Sequence, residues 1–268
     1  MPKTAYVRID LACAKKKRLP LAVCVHSVGR LETMPLRDWS TRPPLGEGNL
    51  MALETEFQER FAEDTVGYLR EVEAHFSVKI QRIAIDAPSD PRSADAEGRQ
   101  CELALGAAHL NYFQTPSWAE FEEIHRQIEK HLSGGGRESH LPHANKLWML
   151  VGFALFKSLR RRWECLEVFP QAIVHAMGFA GPHKSSQDGY EGQFAVAARN
   201  TGVTTSQLAS ELNAACFGSR HDRLDAYLSA WVAALGSHER EAFGVPPDDA
   251  IWIPKRSTIR RGQLCASP

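Results

Sequence analysis

The stretch at residues 82–88, Arg-Ile-Ala-Ile-Asp-Ala-Pro, sets the strongest limit on how this chain folds. Ile83 and Ile85 are β-branched and alternate along one face, which predicts a buried strand. Asp86 projects to the opposite face, and Pro88 ends the strand because it has no N–H for a neighbouring strand. An ionised carboxylate at the end of a buried strand is costly unless it is neutralised, so Asp86 needs a partner.

A three-strand meander is predicted upstream of this strand. Residues 5–12, 19–27 and 31–36 are rich in β-branched and apolar side chains and are separated by turn-forming residues. Residues 50–76 repeat apolar positions at the helical period, so a helix leads from the meander into the strand at 82–88. Such a helical crossover makes the fourth strand parallel to one of the first three.

The second half of the chain alternates helices with further strands. An apolar run at residues 163–169, which Pro170 ends, predicts a fifth strand, and residues 250–253 predict a last, edge strand. The predicted helices cover residues 100–110, 117–132, 144–161, 171–177, 190–200, 206–216 and 220–235. We expect a single α/β domain over residues 1–268, with a five-stranded mixed central sheet and a mostly helical insertion around residues 95–161.

Composition narrows the class of protein. The 268 residues are 43% hydrophobic, and 32 basic side chains balance 32 acidic ones. A formal net charge of zero argues against a strongly basic nucleic-acid binder, although local basic runs remain. The six cysteines are scattered without disulfide or zinc spacing, and neither a secretory signal nor a membrane-spanning stretch is seen. These features predict a cytoplasmic protein with reduced thiols.

Acidic side chains lie at or near the ends of three predicted strands. Asp10 follows Ile9 in the first strand, Asp86 ends the fourth, and Glu167 lies near the end of the fifth. Ligands of open α/β sheets bind at the carboxyl ends of strands. Because parallel neighbours lie about 4.8 Å apart, we expect Asp10 and Asp86 side by side. Two such carboxylates repel each other unless a cation compensates them.

A further acidic motif, His221-Asp222-Arg-Leu-Asp225, opens the helix predicted at residues 220–235. Asp222 and Asp225 lie on adjoining parts of one helix face, although acids in a first turn also stabilise a helix without any other role. Their coincidence with the strand-end acids favours an oxygen-rich site for Mg²⁺ or Mn²⁺. Such ions activate water and stabilise the leaving oxygen in phosphodiester cleavage, and His221 is a candidate proton carrier.

The strand–strand–strand–helix–strand order, with acids on the first and fourth strands, resembles the RNase H-like fold. Nearly the whole chain also resembles a numbered family of unknown function, whose members are described as predicted nucleases with that fold. The motifs that support this resemblance are Ile9-Asp10-Leu-Ala, Ile85-Asp86-Ala-Pro, Arg92-x-x-Asp95 with Arg99, Glu167-Val-Phe-Pro, Lys184 and His221-Asp222-Arg-Leu-Asp225-Ala.

The resemblance implies a divalent-metal-dependent nuclease that acts on RNA or DNA. Its metal ligands would be Asp10, Asp86, Glu167 and either Asp222 or Asp225, the same acids that the strand-end geometry selects. Neither the resemblance nor the strand-end geometry decides between Asp222 and Asp225 as a metal ligand, or whether Glu167 completes the cluster. The resemblance also implies phosphate contacts from Arg92, Arg99 and Lys184. The basic run at residues 15–18 follows Asp10, which makes Lys15 a further candidate.

Two other functions are compatible with the same residues. An actin-like ATPase or kinase would need glycine-rich phosphate turns after the early strands, and the run at residues 15–18 contains no glycine. A non-catalytic module would keep the acids as a metal- or nucleic-acid-binding site. If no metal binds, Arg82 is the alternative partner of Asp86, because the two side chains share a face of the strand.

Overall fold

The central element of the computed structural model, which describes residues 2–11, 16–27 and 30–259, is a mixed sheet of seven strands. These are β1 (Lys3–Asp10), β2 (Leu21–Ser27), β3 (Arg30–Thr33), β4 (Val78–Asp86), β5 (Glu164–Val168), β6 (Arg240–Val245) and β7 (Asp249–Pro254). Their order across the sheet is β3-β2-β1-β4-β5-β7-β6. The strands β1, β4, β5 and β7 are parallel neighbours, whereas the pairs β1–β2, β2–β3 and β7–β6 are antiparallel.

Eight α-helices lie in the part of the chain that the structure describes, and they cover both faces of the sheet. These are α1 (Thr55–Phe76), α2 (Gln100–Ala107), α3 (Trp118–Ser133), α4 (Trp148–Leu159), α5 (Pro170–Ala176), α6 (Gln187–Thr201), α7 (Thr205–Ala215) and α8 (Arg220–Ala234). Single 3₁₀ turns occur at Met51–Leu53, Glu138–His140 and Ala144–Lys146. None of the described helices is both long and apolar enough to cross a membrane.

Alternation along the central strands separates two cores. On one face, Ile9 of β1 and Ile85 of β4 are buried with side chains of α1 and α4. On the other face, Tyr6 and Ala84 are buried with side chains of α5 and α8. Even-numbered positions near the end of β1 share this second face, so strand geometry directs Asp10 toward α8.

The predicted meander, the crossover helix and the parallel fourth strand are confirmed. The prediction of five strands is wrong, because the sheet has seven. The sequence of β6, Arg-Glu-Ala-Phe-Gly-Val, has no apolar alternation and therefore gives no strand signal. It pairs with β7, so the strand predicted at residues 250–253 lies inside the sheet and not at its edge.

Gly152 of α4 packs more closely against the end of β4 than a side chain allows. A Cβ atom on Gly152 would lie 2.8 Å from Cβ of Ala87 and 3.3 Å from the carbonyl oxygen of Pro88. We therefore expect Gly152→Ala to lower the free energy of unfolding by about 1–3 kcal/mol, although alanine favours helices. Urea unfolding curves would measure this loss.

Gly67 of α1 provides the matched control, because a Cβ atom there would meet nothing within 4 Å. Gly67→Ala should raise the free energy of unfolding by about 0.5–1 kcal/mol through helix propensity alone. A stabilising effect at both positions would contradict the close contact between α4 and β4.

Candidate functional site

The carboxyl ends of β1 and β4 place two acids side by side. The register pairs Asp10 with Asp86, and two residues earlier it pairs Arg8 with Ala84. The side chains of Asp10 and Asp86 are 20% and 23% exposed, so both reach the protein surface only in part. On the same face, α8 packs across β1, β2 and β4 and adds its own acids to this edge.

Arg8 is the cation between these acids, and its side chain is fully buried. Its Nη2 lies 2.9 Å from Oδ2 of Asp86 and 3.7 Å from Oδ1 of Asp10. Its Nη1 donates to the carbonyl oxygen of Asp222, at 3.1 Å, near the start of α8. The small side chain of Ala84 lies opposite Arg8 and leaves room for the guanidinium. One guanidinium therefore connects β1, β4 and α8.

Asp10 and Asp86 hold protons more tightly than ordinary aspartates do. Burial raises the pKa of Asp86 to about 7, and the negative charges of Asp10 and Asp225 add to the increase while Arg8 opposes it. Burial likewise raises the pKa of Asp10, again against the influence of Arg8. The cluster is therefore crowded with negative charge even though a guanidinium lies within it.

Asp225 adds a third carboxylate from α8 and is only 4% exposed. Its Oδ2 forms a close ion pair with Nζ of Lys184, which precedes α6. Burial opposes the charge on Lys184, but the attraction of Asp225 outweighs it and raises the pKa of the ammonium group. Oδ1 of Asp225 is buried and has no hydrogen-bond partner among the described residues. Three carboxylates thus face the two cationic groups of Arg8 and Lys184.

Asp222 has a different role at the start of α8. It forms a capping box with Ser219, in which its backbone N–H donates to the serine hydroxyl and its Oδ2 accepts from the serine N–H at 3.0 Å. Nζ of Lys17 lies 3.2 Å from the same Oδ2. Burial would raise the pKa of Asp222, but the Ser219 hydrogen bond and Lys17 outweigh it and lower the pKa. Helix capping therefore occupies Asp222, whereas Asp225 faces the strand-end acids.

Glu167 lies on the opposite face of the sheet from Asp86. The register pairs Glu167 with Ile85, and paired residues share a face. Arg99 donates to both oxygens of Glu167, at 2.8 and 2.7 Å, and the N–H of Ser89 donates at 2.8 Å. Burial raises the pKa of Glu167 despite Arg99. The structure therefore pairs Glu167 with the predicted phosphate contact Arg99, on the other face of the sheet from Asp86.

The predicted site residues His221 and Arg92 contact other side chains. The imidazole of His221 packs edge-on against the ring of Tyr190, with ring centroids 5.2 Å apart. Arg92 forms an ion pair with Glu120, the acid of the capping box that starts α3. Lys15 lies outside the described residues. These contacts show a structural use for Arg92 and place the imidazole of His221 against an aromatic ring.

Arg82 is not the partner of Asp86. Its Nε lies 2.9 Å from Oε2 of Glu164, and its guanidinium also donates to the carbonyl oxygen of Leu235 at 3.2 Å. The actual partner of Asp86 is Arg8, and its spacing from Asp10 is visible in the sequence. Arg8 and Asp10 are two positions apart and share a face, so an arginine accompanies the first of the two paired acids.

The chemistry of the three carboxylates fits a hard divalent cation. Carboxylate oxygens are the preferred ligands of Mg²⁺ and Mn²⁺, and the unpartnered Oδ1 of Asp225 is a free donor beside Asp10 and Asp86. In the described parts of the chain, however, no three His, Cys, Asp or Glu side chains are already arranged to hold an ion. A cation bound through Oδ2 of Asp225 would replace the ammonium group of Lys184.

The fold and site define a mixed α/β protein with paired acids and cations at the carboxyl end of its parallel strands. Residues 46–250 match the model of a family described as protein of unknown function (DUF429), and the chain belongs to that family. The resemblance to a numbered family of unknown function is therefore confirmed. The match starts after β3, so Arg8 and Asp10 lie outside it. No curated protein and no solved structure matches the chain.

Arg8→Met should test how far the cluster depends on the buried guanidinium. Loss of one partner from a buried ion pair leaves an uncompensated charge, so we expect a loss of about 3–5 kcal/mol in unfolding free energy at pH 8. Without Arg8, the pKa values of Asp10 and Asp86 rise further in the folded state. Between pH 8 and pH 5, the folded variant then binds more protons than its unfolded chain does. The free energy of unfolding of the variant should therefore increase as the pH falls through this range.

Urea unfolding at pH 8 and pH 5 would measure this difference against the wild type. Arg60→Met is the control, because Arg60 and its partner Glu47 are both nearly half exposed. That change should cost less than about 1 kcal/mol at either pH. An equal deficit of Arg8→Met at the two pH values would show that proton uptake by the carboxylates does not compensate for the missing guanidinium.

Proposed function

We propose that this protein is a divalent-metal-dependent hydrolase of phosphodiester bonds in nucleic acid. The observation that carries the proposal is the convergence of Asp10, Asp86 and Asp225 from β1, β4 and α8 on one edge of the sheet. The negative charges of Asp10 and Asp225 contribute to the raised pKa of Asp86, and a divalent cation would relieve the same repulsion. The match to a family of unknown function neither adds to nor subtracts from this proposal.

Asp10, Asp86 and Asp225 would hold Mg²⁺ or Mn²⁺. The bound cation would activate a water molecule and stabilise the leaving oxygen of the phosphodiester. Arg8 would fix the orientation of Asp86 through its buried hydrogen bond, so that the carboxylates keep their spacing. Lys184, once released from Asp225, would neutralise charge on the phosphate of the substrate.

Asp222, Glu167 and Arg99 have supporting roles in this proposal. Asp222 fixes the start of α8 and so places Asp225 at the carboxylate cluster. Glu167 and Arg99 form a buried pair that holds the loop after β4 through the N–H of Ser89. Because these side chains already have close partners, we do not assign them direct contacts with metal or phosphate.

An RNase H-like core in β1–β5 is part of the proposal. Its support is the three-strand meander followed by a crossover helix and a parallel strand, with an acid at the end of both β1 and β4. The strands β6 and β7 would then extend this core at the β5 side.

A non-catalytic metal- or nucleic-acid-binding module is the second candidate. The observation that favours it is that Asp86 and Asp225 already have cationic partners, Arg8 and Lys184. Binding of Mn²⁺ without cleavage of any phosphodiester would select this function. Phosphotransfer from ATP remains a sequence-based alternative, and stabilisation by ATP but not by metal alone would favour it.

Replacement of each acid by its amide should separate the proposed ligands from neighbouring acids. We expect Asp10→Asn, Asp86→Asn and Asp225→Asn each to lower Mn²⁺-dependent cleavage at least about 100-fold, because each removes an anionic ligand. RNA, DNA and branched substrates would be incubated with the wild type and the variants. Asp222→Asn is the matched control on the same helix, and it should change the rate less than about threefold.

The thermal stability of every variant would be recorded with and without Mn²⁺. Stabilisation of the wild type by the metal should disappear in the three ligand variants and persist in Asp222→Asn. Equal cleavage by the wild type and Asp10→Asn would rule out the proposed site.

Lys184→Met should change metal binding and cleavage in opposite directions. The ammonium group competes with a cation for Asp225, so its removal should strengthen Mn²⁺ binding about tenfold or more. Cleavage at saturating metal should nevertheless fall, because a positive charge near the phosphate is lost. Calorimetric titration with Mn²⁺ measures the first effect. Unchanged metal affinity would indicate that Lys184 does not occupy the cation position. Lys157→Met on α4 serves as the control.

A further inference from the structure

A cavity of about 270 Å³ lies beside the proposed metal ligands. Asp10, Asp86 and Glu167 form part of its wall at the carboxyl ends of β1, β4 and β5. Its volume lies just below the roughly 300–1,000 Å³ of pockets for drug-sized ligands and suits a single ring system. A molecule in this cavity would therefore lie next to the carboxylates.

Aromatic rings provide much of the remaining wall. They belong to Tyr112, Phe113, Trp148 and Phe169. The indole N–H of Trp148 donates to the carbonyl oxygen of Asn145 at 2.8 Å, which fixes the ring. Phe113 is 58% exposed, so its ring is accessible to a ligand. Aromatic walls of this kind favour planar ligands, and nucleobases stack on them.

Glu102 lines the same cavity and carries an unpartnered carboxylate oxygen. Its side chain belongs to the first turn of α2, and the residue is only 3% exposed. Its Oε1 accepts from the backbone N–H of Thr115 at 2.9 Å and from the hydroxyl group of Thr115. Its Oε2 is buried and has no hydrogen-bond partner within the described residues. A buried carboxylate oxygen of this kind requires N–H or O–H donors.

We propose that this cavity binds an unstacked guanine base of the nucleic acid, with Glu102 as the residue that selects it. Guanine presents two adjacent donors, the ring N1–H and the 2-amino group, which can share the two free lone pairs of Oε2. The single donor groups of uracil, cytosine and adenine stand beside acceptor atoms, which a carboxylate repels. The inference rests on the proposed nuclease function and names its preferred base.

Nucleoside binding to the full chain in the presence of EDTA would test the proposal without any catalysis. Uncharged nucleosides are the correct probes, because the neighbouring carboxylates repel phosphate when metal is absent. Guanosine, inosine, adenosine, cytidine and uridine would be compared by calorimetry. We expect guanosine to bind most tightly. Inosine should bind about tenfold more weakly, because it lacks the 2-amino donor.

Glu102→Gln should weaken guanosine binding at least about tenfold, because its amide can keep the Thr115 contact only by turning an N–H₂ group toward the donors of guanine. Glu97→Gln changes an exposed glutamate before α2. It is the matched control, and this variant should bind guanosine as the wild type does.

Phe113→Ala should weaken the binding of all the nucleosides alike, because it removes a stacking surface and not the selective acceptor. Its exposed position keeps the fold intact.

Absence of nucleoside binding, a preference for another base, or guanosine binding that Glu102→Gln leaves unchanged would overturn the guanine site. Guanosine binding that depends on Glu102 would support it even in a protein that cleaves no phosphodiester, in which case only the proposed hydrolysis fails. Metal-dependent cleavage by a protein that binds no nucleoside would overturn the guanine site and leave the hydrolysis standing.

Discussion

The buried guanidinium of Arg8 is the interaction on which the carboxyl edge of the sheet depends. A charge without solvent exposure must be compensated, and Arg8 finds its partners on three separate elements: Asp86 of β4, Asp10 of β1 and a carbonyl oxygen of α8. A register shift between β1 and β4 would break the first contact, and a displaced α8 would lose the last. The same ion pair therefore sets the strand register, positions the helix and holds two candidate ligands at a fixed spacing.

The two faces of the sheet divide the acids into separate groups. Asp86 shares a face with Arg8 and α8, whereas Glu167 lies on the other face of the sheet and pairs with Arg99. The pairing of Glu167 with Arg99 anchors α2, because Arg99 immediately precedes that helix and Glu102 follows in its first turn. The Glu167–Arg99 pair thus positions α2 and its cavity-lining residue Glu102, and Asp10 and Asp86 line the same cavity from the other face of the sheet.

The acids at strand ends can be predicted from the sequence, because an apolar run followed by an acid involves only neighbouring residues. The neighbours Asp10 and Asp86 follow from that pattern once the helical crossover makes their strands parallel. The sequence does not predict the face of the sheet on which Glu167 lies. That face depends on the strand register, and a shift of one residue moves every side chain of a strand to the other face. For the same reason the sequence shows that Arg8 shares a face with Asp10 but cannot show that it reaches Asp86. The strand β6 is not predicted because its sequence lacks apolar alternation, and its stability comes from contacts with β7 and α2 that are distant in sequence.

The start of α8 decides which of its two acids, Asp222 or Asp225, is free to face the strand-end carboxylates. Asp222 is the third residue of α8, the position at which a capping box returns a carboxylate to the backbone N–H of Ser219. Asp225 lies nearly one turn later, where no backbone N–H is free to accept its charge. It is buried against the sheet and takes Lys184 as its partner. The capping box with Ser219 thus engages Asp222 in fixing the start of the helix. The fixed helix leaves Asp225 facing Asp10 and Asp86, where it pairs with the ammonium group of Lys184.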